Sequence, residues 1–193
     1  MIFFLKYVIY LILSKRLKGE THKFLPEKQL HTFCICSLCD YHGIDGGVGM
    51  VIQFFQKNGV IDPLAIHAGI YQFKIGRIND KEEEYLSLYI GESYSMIVRC
   101  SNHLYEVFHT DPTYFGLKSE HLENDKLKLI VEVYESVKIP DVMTYSDRDQ
   151  LLCERELDAI KKRNPLSQLS TSDRLRKDRV KVVEDAINKL LEG

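Results

Sequence analysis

Two short segments of alternating hydrophobicity, joined by a polar loop, constrain the fold of this chain more than any other feature. Residues 69–75, GIYQFKI, alternate apolar or aromatic side chains with Gln72 and Lys74. Residues 85–91, YLSLYIG, alternate in the same way, which is typical of a strand with one buried face. The loop between them contains the polar run NDKEEE, so the pair predicts an antiparallel β-hairpin.

Other segments have the periodicity of helices or strands. The predicted helices are residues 50–59, 92–108, 146–164 and 170–193, and a third predicted strand is residues 126–136. We expect the third helix to be capped by Ser146 or Asp147 and to end before Pro165. This order predicts an α+β fold, with a small three-stranded antiparallel sheet flanked by helices.

The chain of 193 residues is long enough for one domain with a real core and an appendage. We divide it into an N-terminal extension at 1–47, a central domain at 48–168 and a basic amphipathic helix at 169–193. The net charge of −2 argues against a surface coated with positive charge, as in nucleic-acid coat proteins, but allows a local basic groove.

The N-terminal extension begins with an apolar run, residues 1–13, interrupted by Lys6. This run is shorter than the roughly 20 apolar residues that a membrane-spanning helix needs. Three interpretations stay open: a buried or partner-facing helix, a weak membrane anchor, or a stretch translated from upstream of the natural start.

The chain has five cysteines, an odd number that favours a reducing, cytoplasmic compartment. Cys34, Cys36 and Cys39, with His42, have the composition of half a zinc site. A structural zinc site normally takes its ligands from two separated pairs, and no second pair follows here. The role of this cluster stays open.

Glu156 is the residue that packing alone explains least. Its neighbours one turn away, Leu152 and Ile160, define the apolar stripe of its helix. Because burying an unpaired carboxylate is costly, Glu156 either reaches water at the edge of the stripe or serves a function. Glu154 shares its face with Asp158 and is more easily solvated.

Arg99 and His103 lie one turn apart on a predicted helix, beside its apolar stripe. They either form a pair that suits a phosphate or a rim pair on a surface helix. Tyr71 and Tyr89 are either half-buried strand aromatics or parts of a reaction site. A phenol acts as a general base only if nearby positive charge, from a metal ion or Arg99, lowers its pKa.

Positive charge concentrates in the C-terminal quarter, interspersed with acidic residues. It forms either a solvated helix face or a strip that contacts the nucleic-acid backbone without base specificity. The predicted contacts are Lys161, Lys162, Arg163, Arg174 and Lys177.

Together these residues resemble the GIY-YIG nucleases, a domain of homing endonucleases, some restriction enzymes and an excision-repair nuclease. Gly69-Ile70-Tyr71 and Tyr89-Ile90-Gly91 match the two name motifs, and Arg99 follows Gly91 by the family's eight residues. A histidine four positions later recurs in several members, and His103 fits it. Glu156 heads the family run Glu-x3-Ile-Lys-x3-Pro. The resemblance covers about residues 50–168, and two tripeptides with both further matches in order are a specific signal.

The chain departs from the family pattern in two places. The two motifs are separated by residues 72–88, a longer interval than in the homing enzymes, and the excess lies in the acidic loop. Many members carry an asparagine three residues after the proline, where this chain has Gln168. Either Gln168 or Asn164 is the structural amide that bonds the backbone of the site.

The resemblance implies a divalent-metal-dependent DNA endonuclease with one Mg²⁺ or Mn²⁺ ion held by Glu156. Arg99 would clamp the phosphate, and Tyr71 would act as general base or relay, with His103 able to share that role. Tyr89 would position water or phosphate, and the products would carry a 5′-phosphate and a 3′-hydroxyl. The expected partner is DNA. A double-strand break would need a homodimer or two successive events, because a single site cuts one strand at a time.

Two other functions stay open. The first is a catalytically silent module of the same fold that binds nucleic acid or a partner protein. The second is a membrane-associated protein that uses residues 1–13.

Overall fold

The computed structural model describes residues 49–57, 59–111, 113–168 and 179–192. Within these ranges no helix has both the length and the apolar character needed to cross a bilayer. Several sequence predictions fall outside the described residues: the apolar run at 1–13, the cluster of Cys34, Cys36, Cys39 and His42, and the basic residues Arg174 and Lys177.

A mixed four-stranded sheet forms the centre of the fold, with strand order β1-β6-β4-β5. Its strands are β1 (Val51–Phe54), β4 (Gly69–Arg77), β5 (Leu86–Ser93) and β6 (Leu127–Ser136), and a small second sheet pairs β2 (Gln56–Lys57) with β3 (Val60–Ile61). The β4-β5 hairpin is antiparallel, β6 is antiparallel to β4, and β1 runs parallel to β6. The α+β class and the hairpin are therefore confirmed, but a three-stranded, wholly antiparallel sheet is wrong.

The fourth strand comes from the segment at 50–59, for which a helix is the wrong prediction. Ile52 and Phe54 are buried and alternate with half-buried neighbours, the period of a strand. Periodicity alone does not distinguish a helix from a strand in so short a segment. The pairing of this segment with β6 makes it a strand. Phe55 then takes a left-handed backbone conformation, with φ of 48°, which ends the strand.

Three of the described helices lie within or next to predicted ones, and the short helix at Ser119–Leu122 was not predicted. They are α1 (Met96–Tyr105), which continues into a wide turn at Glu106–Thr110, α2 (Ser119–Leu122), α3 (Tyr145–Arg163) and α4 (Arg179–Glu192). The cap of α3 is Thr144, whose hydroxyl accepts a bond from the Asp147 N–H, so the prediction of Ser146 or Asp147 is wrong. Asp147 instead lies in the first turn, where its charge favours the helix dipole.

Helices cover both faces of the sheet at β4. Ile70 and Ile90 pack with Ala159 and Ile160 of α3. Phe73 points to the opposite face, where its ring contacts His103 of α1. Because β4 is central and covered on both sides, the face that carries Gln72 and Lys74 is largely buried as well.

Candidate active site

A cleft of about 380 Å³ opens at the end of the hairpin where the two sequence motifs meet. Its lining residues come from β4, β5, the turn after β5, α1 and α3, and they are Tyr71, Tyr89, Glu92, Ser93, Tyr94, Arg99 and Glu156. Four of the five predicted catalytic residues therefore line one cleft. The fifth, His103, lies behind Tyr71 and reaches the cleft through it.

The register of the hairpin explains the glycine of the second motif. Tyr71 pairs with Gly91, and its ring lies across that position. A Cβ atom on Gly91 would collide with the phenol oxygen of Tyr71. Gly69 is constrained in a similar way, because a Cβ there would collide with the carbonyl oxygen of Glu135 on β6. Both glycines are thus required by close packing around the site.

Tyr71 and His103 form a buried pair at the back of the cleft. The Tyr71 hydroxyl oxygen lies 2.7 Å from Nε2 of His103, in a hydrogen bond whose direction depends on the tautomer. His103 is only 1% exposed, and its ring lies 5.4 Å from Phe115 and 5.5 Å from Tyr89 between centroids. Burial, with a smaller effect from the charge of Arg99, lowers the pKa of His103 to about 3. The imidazole is therefore neutral, and it does not belong to a rim pair.

The two motif tyrosines are neutral phenols. Burial is the main cause that raises the pKa of Tyr71 well above its usual value, and Arg99 opposes this rise only in part. Burial also raises the pKa of Tyr89, and the nearby carboxylate of Glu156 adds to the effect. The charge of Arg99 alone does not make Tyr71 a base.

Glu156 and Arg99 face the cleft from different helices. Glu156 is 8% exposed and lies between the buried residues Leu152 and Ile160 on α3. Glu154 is exposed and accepts a 2.8 Å hydrogen bond from Gln150, so it belongs to the solvated face. Helical spacing thus predicts that Glu156 is less exposed than Glu154, and the structure agrees.

A second carboxylate, Glu92, lies in the same cleft. Its pKa is raised by burial and by the neighbouring Asp149, and Arg99 opposes the rise. Sequence periodicity does not single it out, because one residue past the second motif is a normal position for a polar strand end. The one sequence signal that could have indicated Glu92 is its position directly after Gly91.

The cleft fits one small divalent cation held with few protein ligands. Across the described ranges, no group of three or more His, Cys, Asp or Glu side chains is arranged to hold a metal ion. Mg²⁺ keeps several waters and is commonly bound through one or two carboxylates. Glu156, with Glu92 in the same open cleft, supplies such a donor set.

Of the two candidate structural amides, Gln168 bonds the backbone of the site. Its Oε1 accepts from the Ile90 N–H and its Nε2 donates to the Ile90 carbonyl, both at 2.8 Å. Backbone bonds from Leu166 to Ser87 and from Ser167 to Leu88 run beside it and cover the edge of β5. Asn164 instead ends α3 in a left-handed conformation.

The described part of the predicted DNA contact lies at the C-terminal end of α3. Lys161, Lys162 and Arg163 are exposed there, on the order of 8–10 Å further along the helix axis than Glu156. Lys162 pairs with Asp158 at 2.7 Å, and Arg163 lies 5.5 Å from the centroid of the Tyr134 ring. These three residues do not line the cleft.

Comparisons with models of protein families, with curated proteins and with solved structures find no match to this chain. The cleft therefore has to be interpreted from its own chemistry.

Proposed function

We propose that this chain is a divalent-metal-dependent DNA endonuclease of the GIY-YIG type, which hydrolyses phosphodiester bonds. The observation that carries the proposal is the meeting of Tyr71, Tyr89, Arg99 and Glu156 in one cleft, although they come from four separate elements. Packing of an α+β core does not require a cation, a buried acid and two phenols to face the same cleft.

Arg99 binds the scissile phosphate. Arg99 is an exposed residue that lines the cleft, where its guanidinium bonds to Tyr71 and presents further N–H donors in a planar fork that matches phosphate oxygens. The charge that develops on those oxygens during attack strengthens this interaction in the transition state. The neutral phenol of Tyr89 lies in the same cleft and donates a hydrogen bond to a phosphate oxygen or to water.

Glu156 would hold the divalent ion, and Glu92, which lines the same cleft, would be the second carboxylate available to it. When bound, Mg²⁺ or Mn²⁺ would supply a Lewis acid and a template for water and phosphate. The burial of Glu156 favours this role, because its carboxylate loses part of its hydration and gains from a cationic partner.

Tyr71 acts as a proton relay and not as a preformed phenolate. In the productive tautomer Tyr71 donates to Nε2 of the neutral His103, so its oxygen accepts a hydrogen bond from the attacking water. The water proton passes to Tyr71 as the phenol proton passes to His103, and the resulting hydroxide bonds to phosphorus. The bond between phosphorus and the 3′-oxygen breaks, and solvent water protonates that leaving oxygen. The negative charge of a phosphodiester bound beside the pair favours the protonated imidazole.

The alternative function is a catalytically silent module that binds nucleic acid or a partner protein. The specific observation in its favour is that burial leaves Tyr71 neutral and gives His103 a low pKa of about 3, so neither is a strong base by itself. The alternative gives no reason for the buried carboxylate of Glu156 to face the cleft.

Cleavage of supercoiled plasmid with Mg²⁺ or Mn²⁺ tests the proposal. Wild type is compared with Glu156→Gln and with the matched control Glu154→Gln, which changes an exposed acid on the same helix. We expect wild type and Glu154→Gln to nick or cut, and Glu156→Gln to be inactive. Equal activity of all three would point to a contaminating nuclease or a different site. Three inactive proteins, on branched and nicked DNA as well, would favour the silent module.

A further inference from the structure

An aromatic patch, formed by Tyr94 and Tyr145, adjoins the cleft through Tyr94. Tyr94 lines the cleft and is 41% exposed, while Tyr145 is 76% exposed. Their ring centroids are 6.1 Å apart and the rings are inclined by 48°. A ligand that covers exposed aromatic rings is stabilised by removing apolar surface from water. Here the rings adjoin the surface on which we propose that the phosphate binds.

The patch is held in place by bonds on both sides. The Tyr94 hydroxyl donates to the Asp149 carboxylate at 2.7 Å, which ties the turn after β5 to α3. Tyr145 is the first residue of α3, and Arg148 fixes the preceding loop by bonds to the carbonyls of Asp141 and Met143, both at 3.0 Å. A patch that is already ordered loses little conformational entropy when a ligand stacks on it.

Charge distinguishes the Arg99 side of the cleft from the aromatic patch. The cation, Arg99, attracts a phosphodiester, whereas Asp149, which accepts a hydrogen bond from Tyr94, repels one. The face of a nucleobase is uncharged and stacks on aromatic rings whatever its sequence. The amino groups at the edge of a base are hydrogen-bond donors that carboxylates accept. The aromatic patch thus suits a base, and the opposite side suits its phosphate.

We propose that the aromatic patch stacks the base of an unpaired nucleotide next to the phosphate held by Arg99. A base inside a duplex is covered on both faces by its neighbours and reaches such a patch only after it leaves the stack. The preferred substrate is therefore DNA with unpaired nucleotides at the cleavage point, such as a flap, a gap or a single strand. This inference rests on the proposed function, because it takes the cleft to bind a phosphodiester.

Binding to matched oligomers tests the inference without cleavage. The full chain carrying Glu156→Gln is titrated into a short fluorescent oligodeoxycytidylate, whose bases carry amino groups, and into an abasic phosphodiester oligomer of the same length, and anisotropy is measured. We expect the base-bearing oligomer to bind about tenfold more tightly, the factor that one stacked base supplies. Adding Tyr145→Leu should remove this preference and leave the affinity for the abasic oligomer unchanged. Adding Tyr145→Phe should keep the preference.

Tyr105→Leu is the matched control. Tyr105 is 41% exposed, but its ring pairs with His109 at 4.9 Å, and His109 does not line the cleft, whereas Tyr145 pairs with the cleft residue Tyr94. The preference for bases should survive this change, so a general loss of exposed aromatic surface is not the cause.

Three results would overturn the inference. They are equal binding of the two oligomers, no effect of Tyr145→Leu, and an equal loss for both oligomers in Tyr145→Leu. If wild type still cuts plasmid in any of these cases, the proposed nuclease stands, and the aromatic patch is a surface for a protein partner. A chain that binds neither oligomer and cuts no DNA would overturn both proposals.

Discussion

The side-chain amide of Gln168 bonds both backbone groups of Ile90, the central residue of the second motif, from 78 positions further along the chain. This clamp acts on the strand that carries Tyr89 and Gly91. It ties the segment after α3, and hence the end of the helix that carries Glu156, to the hairpin that carries the tyrosines.

Gln168→Leu should lower the free energy of unfolding by about 2 kcal/mol, because it leaves two buried backbone groups of Ile90 without partners. Cleavage activity should fall as well, since β5 loses its outer support. Urea denaturation of the variant beside Gln150→Leu, which changes an exposed glutamine, measures the first effect. Equal stability of the two variants would mean that the clamp contributes nothing.

Gly91→Ala should destabilise the protein by about 1–3 kcal/mol, because the added methyl group must displace the Tyr71 ring in a packed core. The same substitution should cost less in a Tyr71→Leu background, where the side chain ends before the phenol atoms. A double-mutant cycle of unfolding free energies measures this coupling. Additive effects would contradict the close approach of the two residues.

His103 should make the protein less stable as the pH falls. Its pKa is about 3 in the folded protein, against an ordinary value of 6.5, so the unfolded chain binds more protons between these values. The contribution of His103 is complete above about pH 6.5 and is lost toward pH 3, with a slope of up to about 1.4 kcal/mol per pH unit.

His103→Gln should therefore flatten the pH dependence of stability between pH 7 and 5, above most carboxylate titration. Chemical denaturation of both proteins across this range gives the difference in slope. His67→Gln is the control, since His67 is exposed and outside the cleft. Parallel curves for wild type and His103→Gln would show that the imidazole is not buried as described.

Arg99→Ala should reduce cleavage by about 100-fold or more, the effect of removing one group that stabilises the transition-state charge. Its free energy of unfolding should fall by about 1 kcal/mol, because Arg99 is an exposed residue whose hydrogen bond to Tyr71 is lost. Arg155→Ala, which removes an exposed cation that faces Glu135 at 3.6 Å, should leave cleavage unchanged. Equal losses in the two variants would indicate a general effect of positive charge.

The sequence was sufficient to predict the hairpin and the inward position of Glu156, because both depend on local periodicity. The sequence could not predict β1, because the four-residue segment Val51–Phe54 becomes a strand only through its pairing with β6, more than 70 residues away. Arg99 and His103 have equivalent spacing on α1, yet one is exposed and the other buried. The difference depends on Phe115, whose ring packs against His103 from a loop outside α1 that helical spacing does not place.

The clamp between Gln168 and Ile90 also has a consequence for synthesis on the ribosome. Tyr71, Tyr89 and Arg99 leave the ribosome long before Glu156, which follows Tyr71 by 85 residues, and Gln168 leaves later still. A nascent chain that ends before α3 therefore carries the phosphate-binding group without the acid. If the proposed chemistry holds, the enzyme gains its cutting activity only after the segment through Gln168 has been synthesised.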